Sequence, residues 1–319
     1  MKLPKLTDIE VSGKKVLVRM DLDIPKGDDT RLEAGSETLD YLKSKNADIV
    51  VIGHRGRPDG KVDENLSLKS LQPFFDKWGA RLEENLRFDP GEEKNDPEFA
   101  KKLASFGDTY INEAFAASHR EHASIVGLPK LLPHAAGLRF VKEVENLSKV
   151  FENPQKPVVI LISGIKEDKV EMAKKLSGFY DKVLVGGRLP EYFGDEGLVS
   201  VRSRRENEKL VIGNLVMDKE DITLHTIERF KTEIKKAGTL VLAGVPGKYE
   251  DEGHRQGTKE VFEAVAGSPA YKVAGGGDTE AALSILKLTG KFDWISVGGG
   301  AMLEFLSSKT LPGIEALIS

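Results

Sequence analysis

Cysteine is absent from the 319-residue sequence, and this absence excludes disulfides, thiolate metal sites and cysteine nucleophiles. A surplus of positive charge is also missing: the formal net charge is −4, so no global basic field draws the chain to nucleic acid or to a membrane. No apolar run is long enough to cross a bilayer, and the amino-terminal MKLPKLTDIE has no apolar signal region. These absences predict a soluble, cytoplasmic protein without nucleic-acid or membrane partners.

The residues that are present favour a two-domain α/β protein. The composition, 39% hydrophobic and 31% charged, is that of a globular chain. The length corresponds to two domains at roughly 150 residues each. Apolar runs rich in valine and isoleucine alternate with segments of helical period in both halves, as a parallel sheet covered on both faces requires. The predicted strands are Lys15–Met20, Ala47–Ile52, Thr109–Asn112, Val158–Ser163, Lys182–Gly186, Thr239–Ala243, Tyr271–Ala274 and Trp294–Val297.

Helical segments separate these runs, and one of them joins the two halves. The predicted helices are Ser36–Lys45, Pro97–Ala104, Lys169–Leu176, Ile222–Lys236, Thr258–Ala266 and Thr279–Leu288. A further segment, Leu138–Phe151, has apolar residues at helical spacing and ends before Pro154, which stops a helix. We therefore predict two Rossmann-like parallel-sheet domains joined by a hinge helix: residues 1–137 with 305–319, the helix 138–153, and residues 154–304. The charge run Arg202–Lys209 is predicted to be a solvated loop.

Basic side chains follow the predicted strands of the first half. The stretch GHRGRP places His54, Arg55 and Arg57 directly after an apolar run, and Arg87 and Arg120 lie in later loops. Parallel α/β sheets bind ligands beyond the carboxyl ends of their strands, and the planar fork of arginine suits phosphate or carboxylate oxygens. The pattern indicates either one shared site for a small anion or several separate surface ion pairs. Spacing alone favours the ion pairs.

Glycine turns carry the chemical signal of the second half. The Walker motif G-x-x-x-x-G-K-[ST] is missing, which excludes a P-loop nucleotide site. Two triple-glycine turns, residues 275–277 and 298–300, each link an apolar run to a helix. Backbone N–H groups at such turns can reach phosphate oxygens, aided by the helix dipole, and Asp278 could bind magnesium. Tight turns also use glycine, so the repetition of the pattern is what favours a phosphate site.

Five segments together resemble the phosphoglycerate kinase family: VLVRMDLDIP, DDTR, GHRGRP, ENLRFDPGEEKNDPEFAKKLASFGDTYINEAF and SHREHAS. The resemblance spans nearly the whole chain. It implies an N-terminal phosphoglycerate domain and a C-terminal nucleotide domain. The implied reaction is reversible phosphoryl transfer between 1,3-bisphosphoglycerate and ADP, giving 3-phosphoglycerate and ATP in glycolysis and gluconeogenesis. Mg²⁺ with ADP or ATP, small-molecule partners and a monomeric state are implied as well.

The same resemblance assigns roles to residues of the first half. Asp21 and Asp23 would face the glycerate, although the family has asparagine at the position of Asp23. Arg31 matches the catalytic arginine that steadies the phosphoryl group during transfer. The phosphate end of the substrate would be held by His54, Arg57, Arg87 and Arg120.

In the second half the resemblance implies that the glycine turns face the nucleotide phosphates, that Asp278 binds the Mg-nucleotide and that Glu250 contacts the ribose. The nucleotide-binding positions implied are Gly164, Lys169, Gly186, Gly244, Glu250, Gly275, Gly276, Gly277, Asp278, Thr279, Gly298 and Gly299. The segment SGIKEDK is one residue shorter between its two lysines than the family pattern GGAKxxDK. We expect Lys169 to bind the nucleotide phosphates and Lys166 to contact the phosphoryl group in transfer.

Departures from the family concentrate around the purine pocket. LAGV replaces the WNGP motif, Arg188 replaces a third glycine and Val297 replaces a threonine. Two alternatives follow: a phosphoglycerate-binding protein of the same fold with weak or altered nucleotide use, and a kinase that uses another nucleotide or polyphosphate.

For the kinase, the attacking carboxylate is already ionised, so positioning and charge stabilisation would supply catalysis, with domain closure about the hinge helix.

Overall fold

Two compact α/β units make up the chain in a computed structural model that describes residues 2–24, 30–197 and 209–319, without the side chains of residues 30, 31 and 194–197. Unit 1 comprises Met1–Glu145 with Thr310–Ser319, and unit 2 comprises Asn146–Lys309. The dividing point falls inside a helix, and the returning segment begins at Thr310. Residues 202–208 of the predicted charged loop lie outside the described residues.

Unit 1 is built on a sheet of five parallel strands within the described ranges, in the order β3-β2-β1-β4-β5. The strands are Lys15–Arg19 (β1), Asp48–Ile52 (β2), Arg81–Leu82 (β3), Thr109–Asn112 (β4) and His134–Ala136 (β5). Register pairs Leu17 with Val50 on one side and with Tyr110 on the other. The central strand is therefore enclosed by neighbours, as its uninterrupted apolar sequence predicts.

Unit 2 is built on six parallel strands, again counted over the described residues, in the order β11-β10-β9-β6-β7-β8. The strands are Val158–Gly164 (β6), Lys182–Gly187 (β7), Leu210–Ile212 (β8), Thr239–Ala243 (β9), Tyr271–Gly275 (β10) and Trp294–Ser296 (β11). Counted along the unit, this is the 3-2-1-4-5-6 order of a dinucleotide-binding fold. The first strand of the unit, β6, lies at the centre between β7 and β9.

Helices connect the strands. The α-helices are Thr30–Ala34 (α1), Ser36–Ser44 (α2), Gln72–Phe75 (α3), Pro97–Ala104 (α4), Leu138–Ser148 (α5), Asp168–Phe179 (α6), Leu224–Lys236 (α7), Gln256–Ala266 (α8), Gly277–Ile285 (α9), Gly299–Ser308 (α10) and Pro312–Ile318 (α11). Short 3₁₀ helices are Leu6–Asp8, Glu64–Leu66, Lys69–Leu71, Asp76–Trp78, Leu86–Phe88, Phe115–Ala117, Leu128–Lys130, Leu189–Gly197 and Thr289–Lys291, with a π-helical turn at Ala123–Gly127. Among the helices described, none is long and apolar enough to span a membrane.

Each sheet buries its apolar residues under its own helices. In unit 1, Val16 and Val18 pack with Leu39 and Leu42 of α2. In unit 2, the corresponding core joins β6 and β7 to the apolar faces of α7 and α8. The predicted α/β fold with two parallel sheets is confirmed. Three short strands, β3, β5 and β8, were missed because two or three residues carry too little pattern to be recognised.

Candidate active site

A cavity of about 590 Å³ opens at the carboxyl edge of the unit 2 sheet. It lies at the point where the strand order reverses, because β6 has β7 on one side and β9 on the other. Two of its walls are residues 164–169, from the last residue of β6 to the start of α6, and the loop after β9, residues 244–250. Parallel α/β sheets bind ligands at this topological switch point, so the cavity is the candidate ligand site of unit 2.

Lys169 lines this cavity and is folded back onto the end of β6. Its Nζ donates to the carbonyl oxygen of Ser163 over 2.7 Å. Burial lowers the pKa of Lys169, whereas the carboxylates of Asp278 and Asp168 act in the opposite direction. One of the three ammonium protons is committed to Ser163, so two remain for a ligand in the cavity. Lys166 lines the same cavity with an exposed side chain.

Gly244 and Thr279 form a support beneath the cavity. Gly244 has a φ of +108°, and a Cβ added there would lie 2.2 Å from the carbonyl oxygen of Ser163, so only glycine fits this crossing of β6. Its N–H donates to Oγ1 of Thr279 over 2.8 Å. Thr279 is fully buried, and it ties the loop after β9 to the first turn of α9. The structure therefore places Gly244 in the cavity lining and Thr279 outside it, as the hydrogen-bond partner of Gly244.

The two triple-glycine turns pack against each other. A Cβ on Gly299 would lie 2.5 Å from Cα of Gly276, and a Cβ on Gly275 would lie 2.7 Å from Sδ of Met302. Gly277, the first residue of α9, instead has open space around it. Close packing thus accounts for several of these glycines, and the start of α9 is the part open to a ligand. Of the other three predicted glycines, Gly164 lines the cavity, Gly186 faces Oγ of Ser163, and the N–H of Gly298 donates to Oγ of Ser296.

Acidic and basic side chains share the cavity lining. Glu191 accepts hydrogen bonds from Nε of Arg188 and from Nζ of Lys219, each over 2.7 Å. Arg188 and Lys219 line the cavity, and Glu191 holds these two side chains together from outside the lining. Glu250 and Asp278 line the cavity as well. The cavity can therefore offer cationic donors to phosphates and carboxylates to a metal or a ribose.

Asp278 is the residue whose carboxylate could coordinate a magnesium ion. In the part of the chain that the structure describes, no cluster of three or more His, Asp or Glu side chains is arranged to hold a metal. Mg²⁺ bound with a nucleotide typically takes one or two carboxylates, substrate phosphates and water. The carboxylate of Asp278, in the first turn of α9 and beside the cavity, fits that role. A metal held by the protein alone does not fit.

The basic residues predicted in unit 1 lie beyond the carboxyl ends of its strands. Asp21 and Asp23 follow β1, His54 and Arg57 follow β2, Arg87 follows β3 and Arg120 follows β4. Because all these strands are parallel, their carboxyl ends lie along the same edge of the sheet. The side chain of Arg31 lies outside the described residues, and its backbone belongs to α1.

The GHRGRP turn is held from both sides at Gly56. The N–H of Gly56 donates to Oδ1 of Asp23 over 2.9 Å, and its carbonyl oxygen accepts from Nη1 of Arg87 over 2.6 Å. Nδ2 of Asn85 donates to the neighbouring carbonyl of Arg55 over 2.7 Å. Gly56 itself has a φ of +64°. The turn is therefore shaped by its neighbours, and Asp23 keeps the acceptor role that an asparagine oxygen could also fill.

Arg87 has a buried guanidinium nitrogen that indicates a ligand at this edge of the sheet. It is only 2% exposed, and its Nη2 is buried without a hydrogen-bond partner among the described residues. Its Nε lies 3.1 Å from Oε1 of Glu93, at an angle that does not make a hydrogen bond. Leaving a buried donor unpaired costs free energy, and such atoms in native proteins need an explanation. An anionic ligand provides one.

Cationic, neutral and acidic side chains surround Arg87 at this edge. Burial, followed by Arg87 and Arg120, lowers the pKa of His122 to about 3, so this imidazole is uncharged at neutral pH. Arg120 is half-buried, and its Nε lies 3.3 Å from Nε2 of His119. Arg57 is exposed and forms no ion pair with any described residue. Asp21 is buried, and its Oδ2 accepts from the N–H of Ala116 over 2.8 Å.

Sequence reasoning missed three buried polar residues under this edge: Arg19, Glu92 and Ser124. Arg19 is fully buried at the end of β1, with Nη2 2.7 Å from Nδ1 of His54 and Nε 2.9 Å from Oγ of Ser124. Glu92 is fully buried and accepts from both the N–H and the hydroxyl of Ser124. A charged residue inside an apolar run was the available signal, because arginine is almost never fully buried unless it is paired.

Comparison with known proteins identifies the family. A family model described as phosphoglycerate kinase matches residues 6–80, 77–220 and 199–309. The chain belongs to the phosphoglycerate kinase family. Phosphoglycerate kinases from Coprothermobacter proteolyticus and Moorella thermoacetica are 35% and 33% identical to it. The alignments cover 100% of this chain and 99% of the first relative, and 98% of each chain for the second.

Solved phosphoglycerate kinases have the same fold. The structure from Coxiella burnetii has a TM-score of 0.84 at 28% identity, and that from Pyrococcus horikoshii has a TM-score of 0.81 at 26% identity. Each comparison covers 99% of this chain and 98% of the other. The alignment with the Coprothermobacter kinase runs over 390 positions, more than the 319 residues of this chain. This phosphoglycerate kinase family member is therefore shortened internally while keeping both units.

Proposed function

We propose that this chain is a phosphoglycerate kinase that transfers a phosphoryl group reversibly between 1,3-bisphosphoglycerate and ADP, giving 3-phosphoglycerate and ATP in glycolysis and gluconeogenesis. Membership of the family supports this reaction. The structural observation that carries the proposal is Arg87: its Nη1 donates to Gly56 of the GHRGRP turn, and its buried Nη2 has no hydrogen-bond partner among the described residues. A phosphate oxygen satisfies that donor and balances the arginines around it.

In unit 1, the phosphate end of the glycerate is assigned to His54, Arg57, Arg87 and Arg120. Arg57 supports this assignment because it is exposed and has no ion-pair partner among the described residues, so its guanidinium fork is available to a ligand. Asp21 and Asp23 are assigned to the glycerate end. Each of them already accepts a backbone N–H, which fixes the carboxylate in place.

In unit 2, the cavity at the switch point is assigned to the Mg-nucleotide. Glu250 is assigned to the ribose, and the start of α9 with Lys169 is assigned to the phosphates. Asp278 would hold Mg²⁺, which neutralises phosphate charge when it is bound. Gly164, Gly186, Gly275, Gly276, Gly298 and Gly299 shape the turns that surround these groups.

No general base is required, because the attacking carboxylate of 3-phosphoglycerate is ionised at neutral pH. Catalysis rests on positioning and on stabilising the charge of the phosphoryl group as it moves between the carboxylate and the nucleotide. Arg31 and Lys166 are assigned to that phosphoryl group. Lys169 donates from a fixed position, because its Nζ is anchored on Ser163.

A second candidate is the same kinase with altered nucleotide preference. One observation favours it: Arg188 and Lys219 line the cavity and are bonded together through Glu191. Arg188 stands where the family carries a glycine. A monomeric state and a cytoplasmic location remain part of the proposal. The location is supported by the absence of cysteine, which suits a reducing compartment.

A coupled assay with 3-phosphoglycerate and ATP, GTP or pyrophosphate tests the reaction and the phosphoryl donor together. Turnover with ATP supports the main proposal, turnover with GTP or pyrophosphate alone supports the second candidate, and binding of 3-phosphoglycerate without any turnover overturns both. Calorimetric titration of variants then distinguishes the ligand that binds to unit 1 from the ligand that binds to unit 2. Asp278→Ala should abolish most turnover and leave the affinity for 3-phosphoglycerate nearly unchanged.

Arg57→Ala should instead weaken the binding of 3-phosphoglycerate in the same calorimetric titrations. Losing a charge-assisted contact to phosphate costs about 1.5–3 kcal/mol, roughly a tenfold to hundredfold loss of affinity for 3-phosphoglycerate. Nucleotide affinity should be unchanged, and Arg57→Lys should recover part of the loss. The control is Arg81→Ala, which removes an exposed arginine that pairs with Glu83 over 2.9 Å. Equal affinities for Arg57→Ala and the control would exclude Arg57 as a ligand.

A further inference from the structure

A chain of three buried hydrogen bonds runs from Glu92 to His54. The hydroxyl of Ser124 donates to Oε1 of Glu92 over 2.6 Å, so its oxygen is left to accept. Nε of Arg19 donates to that oxygen over 2.9 Å, and Nη2 of Arg19 lies 2.7 Å from Nδ1 of His54. Glu92, Ser124 and Arg19 have no exposed surface, and His54 is 5% exposed.

The partner of Nδ1 decides the protonation of His54. A guanidinium has five N–H donors and no acceptor, and it keeps its proton in proteins. Nδ1 of His54 must therefore be the acceptor in this contact, with a free lone pair. A neutral imidazole that accepts at Nδ1 carries its proton on Nε2. Among the described residues, the hydrogen bond of the His54 ring is the one at Nδ1.

We propose that Arg19 is a positioning residue for the anion site, which it serves by holding His54 as the neutral tautomer with its proton on Nε2. In this state His54 offers an N–H donor to a phosphate oxygen. The opposite tautomer would present a lone pair to the same oxygen and repel it. Glu92, through Ser124, keeps Arg19 in place and balances its buried charge.

The charges that face His54 agree with a neutral ring. Burial lowers the pKa of His54 well below its usual range, and Arg19, Arg87, Arg120 and His122 act in the same direction. Burial also raises the pKa of Glu92, while Arg19 opposes that effect, so this carboxylate offsets the charge of the guanidinium to which Ser124 links it. Protonation of Nδ1 would bring a positive ring against Arg19, which cannot accept its proton.

Histidine nitrogen NMR on the free protein tests the tautomer directly. Long-range ¹H–¹⁵N spectra at pH 7 should show Nδ1 of His54 unprotonated and Nε2 protonated, with His54→Gln used to assign the signals. His134 is an internal control, because its Nδ1 lies 3.0 Å from the carbonyl oxygen of Leu132. A carbonyl only accepts, so His134 should show the opposite pattern. A protonated Nδ1 on His54 overturns the proposal.

Variants test the positioning role. Arg19→Met alone leaves the buried Glu92 without the positive charge that opposes its own, so the double variant Arg19→Met with Glu92→Gln removes both charges and should preserve folding. Its His54 signals should become a mixture of tautomers and titrate at higher pH than in the parent. Arg19→Lys keeps a charge and a donor and should retain more of the Nε2-protonated form. Double-variant signals identical to the parent would overturn the proposal, because Arg19 would then not set the tautomer.

The kinetic part rests on the proposed function. The double variant should raise KM for 3-phosphoglycerate about fivefold to tenfold, the loss of one well-oriented hydrogen bond, with the nucleotide KM unchanged. Arg81→Met, which removes an exposed arginine, should change neither. If the parent enzyme has no activity with 3-phosphoglycerate, the proposed function fails while the NMR result for His54 still stands. If the parent is active and the double variant keeps its KM, the positioning role fails.

Discussion

The Nζ of Lys169 lies 2.7 Å from the carbonyl oxygen of Ser163, whereas Lys166, three positions earlier, has an exposed side chain without a described protein partner. Two lysines that line one cavity thus differ in anchoring. The segment between the two lysines is one residue shorter than in the family, and the two side chains still lie in different surroundings. Their substitutions should therefore have different effects.

Lys169→Ala should lower both the melting temperature and the nucleotide affinity, because the buried carbonyl of Ser163 loses its lysine partner. Lys166→Ala should leave the melting temperature unchanged and lower kcat, by about 10²-fold if it stabilises the transferred phosphoryl group. Scanning calorimetry and steady-state kinetics on the two variants separate these effects. Equal and small changes in both would count against both assignments.

Asp23→Asn should preserve the turn and strengthen substrate binding. An asparagine oxygen can accept the N–H of Gly56 as Asp23 does, over 2.9 Å, so the melting temperature should not change. Asp23 also acts on the charge of Arg87, and its removal leaves the site more positive. We expect KM for 3-phosphoglycerate to fall about twofold to fivefold, the size of a partly exposed charge interaction.

Asp23→Ala is the matched comparison for that substitution. It removes the acceptor as well as the charge, so it should release the Gly56 turn and lower the melting temperature. If Asp23→Asn raises KM instead, Asp23 contacts the glycerate through its charge.

Glu113 should make stability depend on pH. It is buried at the end of β4 and accepts from Oγ1 of Thr38 and from the N–H groups of Arg139 and Phe140 at the start of α5. Burial raises the pKa of Glu113 to about 7. The folded state therefore binds a proton more tightly than the unfolded state, and this group lowers the free energy of unfolding as pH rises from about 5 to 7.

Glu113→Gln removes that titration. The free energy of unfolding of the variant relative to the parent should increase by about 2–4 kcal/mol between pH 5 and pH 8, measured by urea denaturation. The exposed Glu98→Gln is the control and should show no such change. A parallel pH dependence in Glu113→Gln and the parent would show that Glu113 is ionised throughout.

His254 should also lower the stability as pH rises, but over a higher pH range than Glu113. Its Nδ1 lies 2.9 Å from Oδ2 of Asp251 and its Nε2 lies 2.8 Å from Oδ2 of Asp218, and these contacts raise the pKa of His254. The stability that they contribute is fully present below pH 6.5 and is lost as pH rises through the elevated pKa. The melting temperature of the parent should fall slightly over that range, and His254→Gln should remove this fall. Replacing the exposed His225 by glutamine should not.

The sequence predicts those parts of the fold and site that depend on residues close together in the chain. Parallel strands are visible as apolar runs, and the position of His54 or Asp278 follows from being just beyond such a run. The bond from Gly244 to Thr279 and that from Arg19 to Ser124 join residues 35 and 105 positions apart. Periodicity carries no information about such pairs, so the supports behind both sites emerged only from the structure.

Packing also changed the interpretation of the glycine turns. Their sequence favours backbone contact with phosphates, yet Gly276 and Gly299 are glycines because their backbones touch. Glycine allows a backbone to approach a phosphate and also to approach another backbone, so the sequence does not distinguish a bound ligand from a neighbouring turn. The cavity lining separates the two, because Asp278 belongs to it and these glycines do not.

The last helix belongs to the first unit, and this has a consequence for how the chain folds on the ribosome. Ile314 and Leu317 of α11 are buried, Ala316 packs with Ile125 of unit 1, and the N–H of Gly313 donates to the carbonyl of Ser118 over 2.9 Å. When residues 1–145 have emerged, the apolar surface that receives α11 is still uncovered. Unit 2, although second in the order of synthesis, is the first that can be completed, and unit 1 closes its core only when residues 310–319 arrive.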